Sequence, residues 1–152
     1  MRIFNIFRKK KVLKFKSERK NEFLQNKQYV LDYLKTRMVK DNNYLDFIKN
    51  NDFAFLKDNT ITIYNKEYNQ NEGYMIECFF TCSTTGYDII KANKNLNLDN
   101  GDIIAIANVA GDDVICMNVK TNEILLYLIE SGDMQFVHIA DNFEKFYNMI
   151  KF

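Results

Sequence analysis

Cys78, Cys82, Cys116 and His138 are the residues with the widest chemical repertoire in this chain. Three thiolates and one imidazole would make a zinc set. The spacing argues against it. Cys78 and Cys82 are four apart in a strand-like run, which puts them on one face about 13 Å apart. Ligands of one tetrahedral site lie within about 4 Å of each other. Free cysteine packs as a small hydrophobe, and that is the expectation for all three. His138 sits at a strand end, two residues after Phe136 and three before Asp141. General-base work would need a nucleophile and an orienting carboxylate beside it. A structural histidine is the main reading, and an enzyme using His138 with Asp141 is the minor one. The chain contains no Gly-rich phosphate loop, nucleophile elbow or His-x-x-x-His pair. The expectation is therefore no catalytic residue, no metal and no cofactor.

The acidic turns say more. Gly111-Asp112-Asp113 and Glu130-Ser131-Gly132-Asp133 each separate two apolar runs. In an up-and-down meander alternate turns share one end, two strand spacings or about 10 Å apart. Asp112, Asp113, Glu130 and Asp133 would then form a negative patch, either a solvated loop end or a docking surface that steers a basic protein. A calcium loop is disfavoured, because the acids lack the regular ligand spacing.

Charge is divided along the chain. Residues 1–20 hold nine Lys/Arg and one acid, a net of +8, and the remainder carries −7, although the whole sums to +1. The first 16 residues interleave bulky apolar and basic side chains: Ile3, Phe4, Ile6 and Phe7 precede Arg8, Lys9, Lys10 and Lys11. Such a basic amphipathic segment suits an anionic membrane surface. It also suits nucleic-acid phosphates, the least favoured partner, or a frayed basic terminus. The apolar residues come before the basic ones, the reverse of a secretory signal. No run approaches the roughly 20 apolar residues that span a bilayer. With an odd number of cysteines, this reads as a cytoplasmic protein.

The elements that must position these residues follow from periodicity. At 152 residues and 47% hydrophobic, one domain over residues 17–152 can bury its own core. A helix is predicted over 17–40, with Ser17 as cap, Phe23, Val30, Leu34 and Met38 on its stripe, and Lys35, Arg37 and Lys40 in its last turn. A short helix over 43–49, capped by Asp41 or Asn42, buries Tyr44, Phe47 and Ile48. Runs 53–56 and 60–64 read as a hairpin around Asp58-Asn59, and 65–72 as a polar loop. In the strand 73–81, Tyr74, Ile76, Cys78 and Phe80, with Cys82 beyond them, should face the core. Thr84 or Thr85 caps a helix through Ala92, and a polar connector follows. Runs 103–110, 114–119, 123–129 and 134–139 form a four-strand antiparallel meander. Asp141 with Glu144 then makes a capping box, and Phe143, Phe146, Tyr147 and Ile150 form the last helix's apolar face. The class is α+β: an antiparallel or mixed sheet of about six strands flanked by N- and C-terminal helices. One helix cannot cover such a sheet, so a homodimer or another partner is expected over part of it.

The segments 104–127 and 136–150 carry a resemblance. An apolar strand through Ile106-Ala107, the Gly111-Asp112 turn, a hairpin, and the helix start Ala140-Asp141-Asn142-Phe143 with Phe146 resemble the end of the SUKH superfamily, the Smi/Knr-type domain. Tyr44 to Asp52 resembles that family's short helix. The chain departs from the pattern at Asn51-Asp52, at Leu126-Tyr127 where a Trp is usual, and at Asn142 in place of Ser. The resemblance implies an α+β fold and a non-enzymatic immunity protein that binds and neutralises a cognate bacterial toxin, frequently a nuclease. The acidic body suits such a partner, since carboxylates can take the place of phosphates.

Overall fold

The computed structural model describes residues 20–50, 54–55, 60–65, 70–82, 88–129 and 135–151. The basic segment 1–16 and the Ser17 cap lie outside them. In chain order the elements are α1 (Lys20–Thr36), α2 (Asn42–Asn50), β1 (Ala54–Phe55), β2 (Thr60–Asn65), β3 (Gln70–Phe79), α3 (Ile89–Asn95), β4 (Ile103–Val109), β5 (Val114–Asn118), β6 (Ile124–Leu128), β7 (Gln135–Ala140) and α4 (Phe143–Met149). The fold is α+β, with a sheet ordered β1-β3-β4-β5-β6-β7. Every strand pairing is antiparallel, and β4 to β7 form the expected meander.

The first half differs from expectation. β1 and β2 do not make a hairpin with each other; both pair with β3, β1 at its C-terminal end and β2 along its first half. The polar run 65–72 is not one loop, because β2 continues to Asn65 and β3 already begins at Gln70. Cross-strand partners, not local polarity, decide these boundaries. A bulge between Ile76 and Cys78 then breaks the alternation of β3. Phe79, assigned to the outer side by simple alternation, is therefore buried.

Helix ends also shift. α1 stops at Thr36, so Arg37 and Lys40 lie beyond it. Met38 takes a left-handed φ of 61°, and the Val39 amide reaches back 3.0 Å to the Leu34 carbonyl. This closes the helix by the route glycine usually provides. α3 begins at Ile89, not near Thr84, because the Asp88 carboxylate accepts from the Ile90 and Lys91 amides. α4 is capped one residue later than expected: Asn142, not Asp141, accepts from the Lys145 amide at 2.9 Å.

The register defines two faces. On one, Phe79, Ala107, Ile115, Leu126, Ile104, Met117 and Ile124 are fully buried. The helices α2 and α4 supply the aromatic layer beside them. The Phe47 ring lies 4.7 Å from Phe79 and 5.2 Å from Phe143, and Tyr44 meets Phe143 edge-on at 5.1 Å. Asp41 ties these two helices together: one carboxylate oxygen accepts from the Tyr44 amide and the other from the Phe143 amide, both at 3.1 Å. Asn93 of α3 plays a similar part for the sheet. Its side chain donates to the Ala105 carbonyl and accepts from the Ala105 amide, so it satisfies β4 where β3 has ended. Among the described residues no helix is long and apolar enough to cross a membrane.

Candidate functional site

The acidic turn is set by backbone conformation. Gly111 (φ 95°) and Asp112 (φ 69°) both adopt left-handed geometry, which glycine enters freely and aspartate tolerates. The reversal leaves Asp112 exposed at the tip and sends Asp113 sideways. The Asp113 carboxylate accepts from the Ile129 amide at 3.1 Å. That bond places the β4–β5 turn beside the end of β6, as the meander requires. Glu130 and Asp133 lie outside the described residues.

Two acids not singled out from sequence join this end. β3 runs past the turn, and the Ala110 amide donates to the Met75 carbonyl at 2.9 Å. The Tyr74 hydroxyl donates to Glu72 at 2.7 Å. The Tyr74 phenol is pushed up to about 12, first by burial, then by its bond to Glu72 and by the charges of Glu72 and Asp113. Glu77, turned outward by the β3 bulge, accepts from the Asn108 amide group at 2.6 Å. Among the described residues Glu77, Asp112 and Asp113 make no ion pair with a cation. The sequence held no local sign of this grouping, which depends on how far β3 overshoots β4.

The opposite end of the sheet handles charge differently. Lys120 pairs with Asp102 at 2.6 Å, and Lys145 with Asp141 at 2.5 Å. His138, half-exposed, has its Nε2 3.5 Å from Asp141 and 4.0 Å from Glu123. Lys145, then His138, holds the Asp141 carboxyl below its ordinary range. A groove of about 390 Å³ opens here between Arg37, Lys40, Asp99, Asp102 and Lys120. Its Arg37 guanidinium is engaged by the carbonyls of Leu98, Gly101 and Ile103 at 2.7–3.0 Å.

The cysteines and His138 do not converge. Cys78 is on β3 and Cys116 on β5, with β4 between them, and all three thiols are buried and unoxidised. Burial pushes the Cys78 thiol up to about 12 and raises that of Cys116, which disfavours the thiolate needed for metal binding or attack. Register sets Cys116 and His138 on either side of Leu125, about 10 Å apart.

On the sheet face away from α2 and α4, exposure grows toward β7. Tyr127 and Phe136 stack with centroids 4.8 Å apart and an interplanar angle of 22°, and both rings are half-buried. They lie in the same cross-strand row as Val114 and Asn108, the partner of Glu77. An aromatic pair thus adjoins the acidic end. Comparison with protein-family models, with curated proteins and with solved structures finds no match.

Proposed function

We propose that this chain is a non-enzymatic, protein-binding domain of the immunity type, which binds a basic bacterial toxin at the acidic end of its sheet. The observation that carries the reading is the gathering of Glu77, Asp112 and Asp113 without a cationic partner among the described residues. Glu72 lies beside them, and the Tyr127–Phe136 stack lies in the adjoining row. Interfaces commonly join an aromatic anchor to a polar rim, and a one-sign rim steers an oppositely charged partner. The SUKH-like motif supports the same reading. The three buried thiols, none of them in a disulfide, support a reducing, cytoplasmic setting.

The test is protection. Cells expressing a toxin encoded beside this chain should survive when the chain is co-expressed, and should lose protection when Glu77, Asp112 and Asp113 are neutralised together. Equal protection by the neutralised variant would remove the acidic end from the mechanism. The second reading, an anionic membrane-surface adaptor contacting lipid through Ile3, Phe4, Ile6, Phe7 and Arg8 to Lys11, is supported by the charge division of the sequence. Liposome sedimentation with and without residues 1–16 tests it; equal sedimentation would exclude it.

A further inference from the structure

The surface beside the acidic end has a matching occupant in the chain's own sequence. On the sheet face away from α2 and α4, Leu125, Tyr127 and Phe136 are half-buried neighbours: Leu125 and Tyr127 lie two apart on β6, and Phe136 pairs with Tyr127. The acids begin one strand away from β6. Asp113 is bound to Ile129, two residues past Tyr127, and Asp112 stands exposed next to it. Glu77 is held by Asn108, in the same cross-strand row as Val114, Tyr127 and Phe136. Three strand spacings, about 14 Å, separate Phe136 from Asn108. A segment that fits this surface carries bulky apolar side chains and, about 14 Å further on, a cluster of cations.

One stretch of the sequence has that order. Ile3, Phe4, Ile6 and Phe7 precede Arg8 to Lys11, the longest run of consecutive cations in the chain. The four steps from Phe4 to Arg8 cover about 14 Å when extended. Residues 12–19 join this stretch to α1 and span up to about 28 Å, more than the roughly 23 Å length of β4. Tethering of this kind holds a segment at an effective concentration on the order of millimolar. We propose that residues 3–11 dock on this surface within the same chain. Phe4 and Phe7 lie against the Tyr127–Phe136 stack, and Arg8 to Lys11 against Glu77, Asp112 and Asp113. The docked segment covers the acidic end until a competing basic partner displaces it. That regulation rests on the toxin reading; the docking itself does not.

Zero-length carbodiimide coupling of the full chain tests this, because it joins an ammonium to a carboxylate only where the two meet. Toxin and lipid are left out, so failure of either reading above does not decide the docking. The Lys120–Asp102 pair, 2.6 Å apart, is the internal control. Peptide mapping should find Lys9, Lys10 or Lys11 joined to Glu77, Asp112 or Asp113 within one chain, with a yield that falls at least about threefold in high salt. The control link without these links would overturn the proposal, as would links found only between isotopically labelled and unlabelled copies. The chain contains no Trp, so Phe7→Trp supplies a single reporter for the apolar contact. Its emission should be blue-shifted from that of free tryptophan, and should return to the free position when Glu77→Gln, Asp112→Asn and Asp113→Asn are combined. An emission that this combination leaves unchanged would also overturn the proposal.

Discussion

The two ends of the sheet treat charge in opposite ways. Where β7 hands over to α4, carboxylates are engaged within the fold: Asp102 by Lys120, Asp141 by Lys145 and His138, and Asp41 by two helix amides. Where β4 turns into β5, the described partners of Glu77 and Asp113 are neutral donors, and Asp112 stands exposed. An end that balances its own charge is committed to folding. An end whose described acids Glu77, Asp112 and Asp113 have no described cationic partner keeps a field that can act on another molecule. The difference separates stabilising acids from acids available for binding.

The largest effect that could break this contrast belongs to Asp41. Asp41→Ala should destabilise the protein by about 2–4 kcal/mol, because two buried helix amides lose their acceptor. Urea unfolding measures it, and a change comparable to that of an exposed acid would erase the distinction between the ends. Tyr44 lies next to it, fully buried, and its hydroxyl has no hydrogen-bond partner among the described residues. Tyr44→Phe should therefore be neutral or raise stability by about 1 kcal/mol, the desolvation penalty of one unsatisfied group being removed.

Two titrations sharpen the comparison. Tyr74 should ionise near 12 by phenolate absorbance, and Glu72→Gln or Asp113→Asn should lower that value. Since the folded-state value is raised, its contribution to stability is complete below the unfolded value near 10 and fades as pH rises through about 12. At the other end the Asp141 value is depressed. Its contribution is present above the unfolded value near 4 and is lost as pH falls through the folded one. Lys145→Ala should remove most of the depression in a side-chain carboxyl NMR titration. The smallest effect is at the turn tip: Asp112→Asn should change stability by no more than about 0.5 kcal/mol.

How much of this was legible in the sequence depends on how far apart the partners are. The meander and the apolar face of α4 follow from contiguous patterns, and Phe143, Phe146 and Tyr147 are buried as their spacing requires. Asp41 was readable as the cap of α2, but its second bond reaches Phe143, 102 residues away. Asn93 looked like part of a polar connector; it closes β4 through a contact that no local pattern announces. Asp112 and Asp113 were visible in the turn, whereas Glu72 and Glu77 join them only because β3 overshoots β4 and bulges. The β1–β2 turn signal was outweighed by the longer partner strand β3.

The central claim is that the acidic end binds a basic protein. The most direct measurement is calorimetric affinity for a toxin encoded by a neighbouring gene as a function of salt, comparing the wild type with the Glu77→Gln, Asp112→Asn and Asp113→Asn combination. Asn at 113 keeps the acceptor for the Ile129 amide while removing the charge. The account predicts affinity at least about tenfold weaker, or about 1.4 kcal/mol, with a flatter salt dependence. Equal affinity and an equal salt slope in the two proteins would contradict it.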